Sequence, residues 1–174
     1  MESTISPPSR RFFPPRVRLT ILTLHIMMSV GLLGDSAGFL AVAIRAAHSP
    51  DREAVVQLVG TLNMFSLVFG IPLSFGALIT GLLLGLGSKW GVFRYPWVTG
   101  KLLLIVSVMA VGGVVIGPTQ DAILSGRGTA TGPLIAAASY DVIALGLATV
   151  LSVFKPGKAF RASPARGRLP LAIP

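Results

Sequence analysis

The chain of 174 residues contains no cysteine. That absence excludes disulfides, Cys-ligated zinc, iron–sulfur clusters and covalently attached c-type haem. Charge is scarce as well: 12% of residues are Asp, Glu, Lys or Arg, where a soluble domain carries about 25%. There are two histidines and six acidic residues in all, so a protein-only metal site would have to combine one intramembrane imidazole with carboxylates at different depths, and none is expected. What fills the sequence instead is apolar. Hydrophobic residues make up 52% of the chain and the mean hydropathy is +0.78, the composition of a membrane protein. The net charge of +9 comes from basic residues in the tails and in one loop between apolar blocks, which suits anionic lipid headgroups rather than nucleic acid.

A membrane helix needs about 20 apolar residues to cross about 30 Å of hydrocarbon. Four segments meet that length: Leu19 to Ala47, Ala54 to Leu86, Trp97 to Ile116, and Gly132 to Phe154. The expected fold is all-α, an integral membrane four-helix bundle in up-down-up-down order, because short connections favour antiparallel neighbours. The 19–154 region is one transmembrane domain between a basic, Pro-rich tail at 1–18 and a basic tail at 155–174. The opening "SRRFFPPRVR" has the charge of a secretory signal, but the apolar run after it is far longer than a signal's 7–15 residues, so an uncleaved span is expected. In the second span, Gly70-Ile71-Pro72 removes a backbone donor near the middle and predicts a bend. "TQDAILSGRGTATG" reads as a flexible loop between the third and fourth spans.

Lys and Arg set the orientation. With the N-terminus in the cytoplasm, eleven basic residues face inward (Arg10, Arg11, Arg16, Arg18, Lys89, Arg94, Lys155, Lys158, Arg161, Arg166, Arg168) against Arg45, Arg52 and Arg127 outside. Both termini are therefore expected on the cytoplasmic side of the cell membrane, with Trp90, Phe93, Tyr95 and Trp97 as an aromatic anchor at that interface. Both tails, short of packable residues, are expected to be disordered or lipid-associated.

Helices in lipid associate by close packing and a few polar contacts, since lipid is as apolar as leucine. Small residues accordingly mark the expected seams: Gly34 and Gly38 with Ala37 and Ala41 in the first span, Gly81 and Gly85 in the second, and Ala137, Ala138, Ala144 and Ala148 around Asp141 in the fourth. Four titratable residues fall inside the spans, His25, Asp35, Lys101 and Asp141, where an Asp or Lys costs about 2.5–3.5 kcal/mol at the centre. His25 lies roughly 9 Å and Lys101 roughly 6 Å from the same face of the bilayer, at 1.5 Å per residue. They share a depth. Ser29 and Ser36 lie on the helix face of His25, and Asp35 is turned from it by about 80°. His25 can bond a backbone carbonyl or a serine across a seam; Lys101 can snorkel to the headgroups. Asp35 can pair with Arg45, and Asp141 is either neutral or paired with Lys101 or Asn63. His48, in the loop, is expected to be solvated.

"LHIMMSVGLLG" and "SKWGVFRYPWVTGKLLLIV" resemble an uncharacterised bacterial family of small predicted integral membrane proteins with four spans. More distantly, a His in the first span and a Lys early in the third are similar to HemJ-type membrane protoporphyrinogen oxidases and CopD-like membrane domains. By that resemblance His25 and Lys101 would form a b-type haem site, and imidazole is a common haem ligand. No phosphate loop, dinucleotide fingerprint or Ser-His-Asp set is present, so a non-enzyme is expected. Three readings stay open: a subunit or assembly partner in a homo-oligomer or larger membrane complex; a haem-b-binding or redox-associated protein using His25 and Lys101; and a proton-coupled small transporter using Asp35 and Asp141.

Overall fold

A computed structural model describes residues 13–86 and 96–154. Among the described residues there are helices and no strands. Four of the helices are long and apolar enough to cross a bilayer: Pro15–Ala47, Arg52–Leu86, Trp97–Leu124 and Gly132–Phe154, the first to fourth spans below. Pro15 sits in the first turn of the first span, where its missing N–H costs nothing. The second span starts on Asp51, whose carboxylate accepts from the Glu53 and Ala54 amides. The expected aromatic anchor at Trp90, Phe93 and Tyr95, the basic residues Lys89 and Arg94, and both tails lie outside the described residues.

The first span packs against the second and the fourth, and the third also packs against the second and the fourth. Each neighbouring pair runs antiparallel. His25 meets Thr80 while Gly31 meets Leu73, and Lys101 meets Ser152 while Tyr140 meets Ser107. The first and third spans are diagonal, with no close backbone approach among the described residues.

Two spans are not regular α-helices throughout. Ser66–Gly70 and Gly112–Ile116 are single wide π turns, in which the Ile71 amide bonds the Ser66 carbonyl and the Gly117 amide bonds the Gly112 carbonyl, five residues back. Each turn stops just short of a proline, Pro72 and Pro118. A proline ring collides with the carbonyl four residues earlier and offers no N–H, and widening the helix by one residue relieves both problems while the chain continues. The irregularity expected at Gly70-Ile71-Pro72 thus takes the form of a π turn, and the third span repeats it.

The loop expected from Thr119 onward is corrected. The third span carries on through Gly117–Leu124, burying Gln120 and Ile123, because Ile116, Gln120 and Ile123 keep the helical spacing that faces the bundle. Only after Leu124 does the chain turn, with Gly126 at φ +76° in the left-handed region that glycine adopts without strain.

Large apolar side chains cover the outside: Met27 and Val30 are each 65% exposed and Val114 76%. A soluble bundle could not leave such a surface in water. Inside lie two apolar clusters stacked along the bundle. One gathers Phe39, Ala43, Leu62, Ile116, Leu134 and Ala138, the other Leu32, Val108, Ala144 and Leu145.

Candidate functional site

The two clusters do not merge, and what separates them is polar. On the first span the change from Leu32 to Phe39 passes through Asp35 and buried Ser36. On the fourth, the change from Ala138 to Ala144 passes through Asp141. On the second span the change from Leu62 to Leu73 spans the Ser66–Gly70 π turn, and on the third the change from Val108 to Val111 comes just before the Gly112–Ile116 π turn, which lies against the first cluster. All four spans therefore cross from one cluster to the other at one level, and both carboxylates sit there.

Each carboxylate is held without a donor. The Oδ1 atoms of Asp35 and Asp141 are shielded from solvent and have no hydrogen-bond partner, and Asp141 as a whole is 7% exposed. Asp35 lies against the end of the Ser66–Gly70 π turn: a Cβ built on Gly70 would stand 3.4 Å from its Oδ2. Glycine at 70 is what lets the carboxylate approach the second span's backbone so closely. One further polar bridge closes the layer on the side of the first cluster. Gln120, 1% exposed, donates to the Ser66 hydroxyl at 3.5 Å, and that hydroxyl donates to the Leu62 carbonyl.

Several expected pairings are corrected by this geometry. Asp141 bonds neither Lys101 nor Asn63, and Asp35 does not pair with Arg45, which lies a further three turns along toward the end of its helix. Asn63 is half-buried on the second span and makes no side-chain hydrogen bond among the described residues. Lys101 donates to Ser152 at 3.1 Å and lies 5.0 Å from the centre of the Trp97 ring, so it ties the third span to the fourth. His25 bonds Thr80 rather than a serine, with Nδ1 3.0 Å from Oγ1, and its ring also interacts with the Ala77 backbone on the same span as Thr80. Since the Thr80 hydroxyl donates its proton to Gly76, it accepts from His25, which fixes the proton on Nδ1. His48 is exposed and its Nδ1–H donates to the Ile44 carbonyl, closing the end of the first span.

The small-residue seams divide into two kinds. Ala137, Ala138 and Ala144 are buried in the bundle, and Gly81 receives the His25 ring, whose Cε1 would lie 3.1 Å from a Cβ there. Gly34, Ala37, Gly38 and Ala41 instead face outward, and a Cβ on Gly34 or Gly38 would meet nothing within 4 Å. That stripe is not a seam of this bundle.

The residues do not fit the haem site that the resemblance implies. His25 and Met28 are packed into the glycine notches at Gly81 and Gly76, where the first and second spans are in direct contact. Lys101 stands on the diagonal span, engaged with Ser152 and Trp97. Lys101 is near enough for its charge to act on His25, but each side chain is engaged by other residues.

Gln120 is the site residue that sequence reasoning placed in a loop. Its signal was the spacing Ile116, Gln120, Ile123, which continues the buried face of the third span. Fold and site together define a multi-pass integral membrane protein, a four-helix bundle divided by a carboxylate layer. No family model, no curated protein and no solved structure matches the chain.

Proposed function

We propose that this protein is a small proton-coupled membrane carrier, working as one subunit of an assembly, whose coupling groups are Asp35 and Asp141. The observation that carries this reading is the pair of donor-less carboxylate oxygens at one level between two apolar clusters. An acidic side chain without a donor in hydrocarbon costs several kcal/mol when charged. A purely structural role would not leave it so, because a leucine would fill the same space at no such cost. A proton that arrives and leaves gives the carboxylate a use. The Ser66–Gly70 π turn supports the reading too, since a wide turn interrupts the helical ladder where the second span crosses this layer. With apolar clusters filling the axis on both sides, a pathway requires neighbouring copies or a partner subunit, which joins the carrier reading to that of a subunit in a membrane complex.

Reconstitution into sealed vesicles with a pH-sensitive dye inside tests this. An imposed pH difference should dissipate faster with the protein than in empty vesicles, and Asp141→Asn, which keeps the shape and removes the titrating group, should slow it at least tenfold. Equal rates for Asp141→Asn and the parent protein would refute the assignment.

A further inference from the structure

At the end of the bundle away from Pro15 and Phe154, a cavity of about 240 Å³ opens between the turn after the first span and the connection from the third span to the fourth. Its walls are of two kinds. Ala46, Val55, Val56 and Ile123 supply an apolar side, while Arg52, Thr129 and Thr131 supply a polar one. The cavity is made by tertiary contact, for Gly126 at φ +76° turns the chain back and brings its carbonyl to 3.4 Å from Arg52 Nη2.

That single long bond leaves most of the guanidinium's five donors without a protein acceptor. Of the two carboxylates flanking Arg52 in the chain, Asp51 is spent on the amides of Glu53 and Ala54, and Glu53 forms no ion pair with it. Among the described residues no carboxylate pairs with Arg52, and neither the Thr129 nor the Thr131 hydroxyl makes a hydrogen bond. The polar wall is therefore a planar cationic fork beside two unused hydroxyls, the arrangement that takes a carboxylate in two parallel hydrogen bonds. The opposite wall is aliphatic. At about 30 Å³ per water, the cavity has room for about eight waters, a volume that also suits a carboxylate with a tail of about three to five carbons.

We infer that this cavity binds a short-chain aliphatic carboxylate, with its head on Arg52 and the threonine hydroxyls and its tail on Val55, Val56 and Ile123. An inorganic anion would use the polar wall alone and leave the aliphatic wall wet. Affinity should therefore rise with tail length until the cavity is full and then fall. Binding here is separate from the carrier reading: it is measured at equilibrium, and its failure leaves the Asp141 flux test untouched.

The test uses the full chain in nanodiscs of zwitterionic phosphatidylcholine, with butyrate as the probe and saturation-transfer NMR as the readout. Butyrate should bind saturably and more tightly than acetate, and butylammonium should not compete. Arg52→Gln should weaken binding at least tenfold, Arg52→Lys by less, because it keeps the charge and loses the fork. Val56→Ser should weaken butyrate more than acetate. Non-saturable butyrate, an unchanged Arg52→Gln, or equal competition by inorganic phosphate would each overturn the assignment.

Discussion

The contact between His25 and Thr80 offers the sharpest test of the bundle. Replacing His25 by Ala removes an imidazole that bonds Thr80 at 3.0 Å and covers Gly81; replacing Thr80 by Val keeps its shape and removes the acceptor. In a bilayer an interhelical hydrogen bond is worth about 0.6 kcal/mol on average and about 1.7 at most. Thr80 is buried at 9% exposure, so the unmade bond leaves its hydroxyl donating to backbone carbonyls with no donor of its own, and we place the coupling near 1 kcal/mol, about a fivefold change in the unfolding equilibrium. His25→Ala alone should cost about 2 kcal/mol, since it also empties the notch at Gly81. Thr80→Val alone should cost about 1 kcal/mol. The four proteins of the cycle are to be unfolded in mixed micelles and followed by circular dichroism. The double variant should be less destabilised than the sum of the singles by the coupling energy. Strict additivity would refute the hydrogen bond, and with it the alignment of the first two spans. Gly81→Ala gives an independent check. Its Cβ would stand 3.1 Å from the His25 ring, so it should destabilise the parent protein by about 1 kcal/mol and be harmless once His25 is Ala.

Two further outcomes concern packing and the connection between the third and fourth spans. Leu134→Ala, at a site with 0% exposure, should cost about 2–3 kcal/mol in the same unfolding measurement, whereas Val114→Ala, 76% exposed, should stay within about 0.5 kcal/mol. Gly126→Ala must hold a side chain at φ +76° and should cost about 1 kcal/mol; amide exchange at Arg127 and Gly128, which both donate to the Ala122 carbonyl, should accelerate with it.

The carboxylate layer also explains why the protein keeps two helical irregularities. Regular helices at Ser66–Gly70 and Gly112–Ile116 would clash with Pro72 and Pro118, and the widened turns fall at the passage between the apolar clusters on the second span and just beyond it on the third. Gly70 lies beside the Asp35 carboxylate there, where a Cβ would stand 3.4 Å from Oδ2 and a larger side chain would crowd it. Polar groups, wide turns and glycine are thus gathered into one stratum, and the layers on either side are packed with aliphatic residues.

Much of this was legible without coordinates. Apolar length alone demands four spanning helices, because an unpaired backbone in hydrocarbon is too costly for any other open structure, and a proline within a span predicts a local break. Counting also assigns an expected depth to each residue, His25 and Lys101 included. What counting cannot give is the rotation of each helix about its own axis. Four apolar helices in lipid carry apolar residues on every face, so periodicity does not mark an inner side. For that reason Gly34 and Gly38 looked like a seam and face outward, the partners left open for Asp141 beside a neutral state are ones it does not bond, and His25 and Lys101, expected at one depth, stand on diagonal spans of the bundle. The sequence determined what this protein is made of and where it resides. Only the packing of four nearly uniform cylinders, decided by glycine notches, alanine faces and a handful of polar contacts, could bring Asp35 and Asp141 to one level and leave both without a donor.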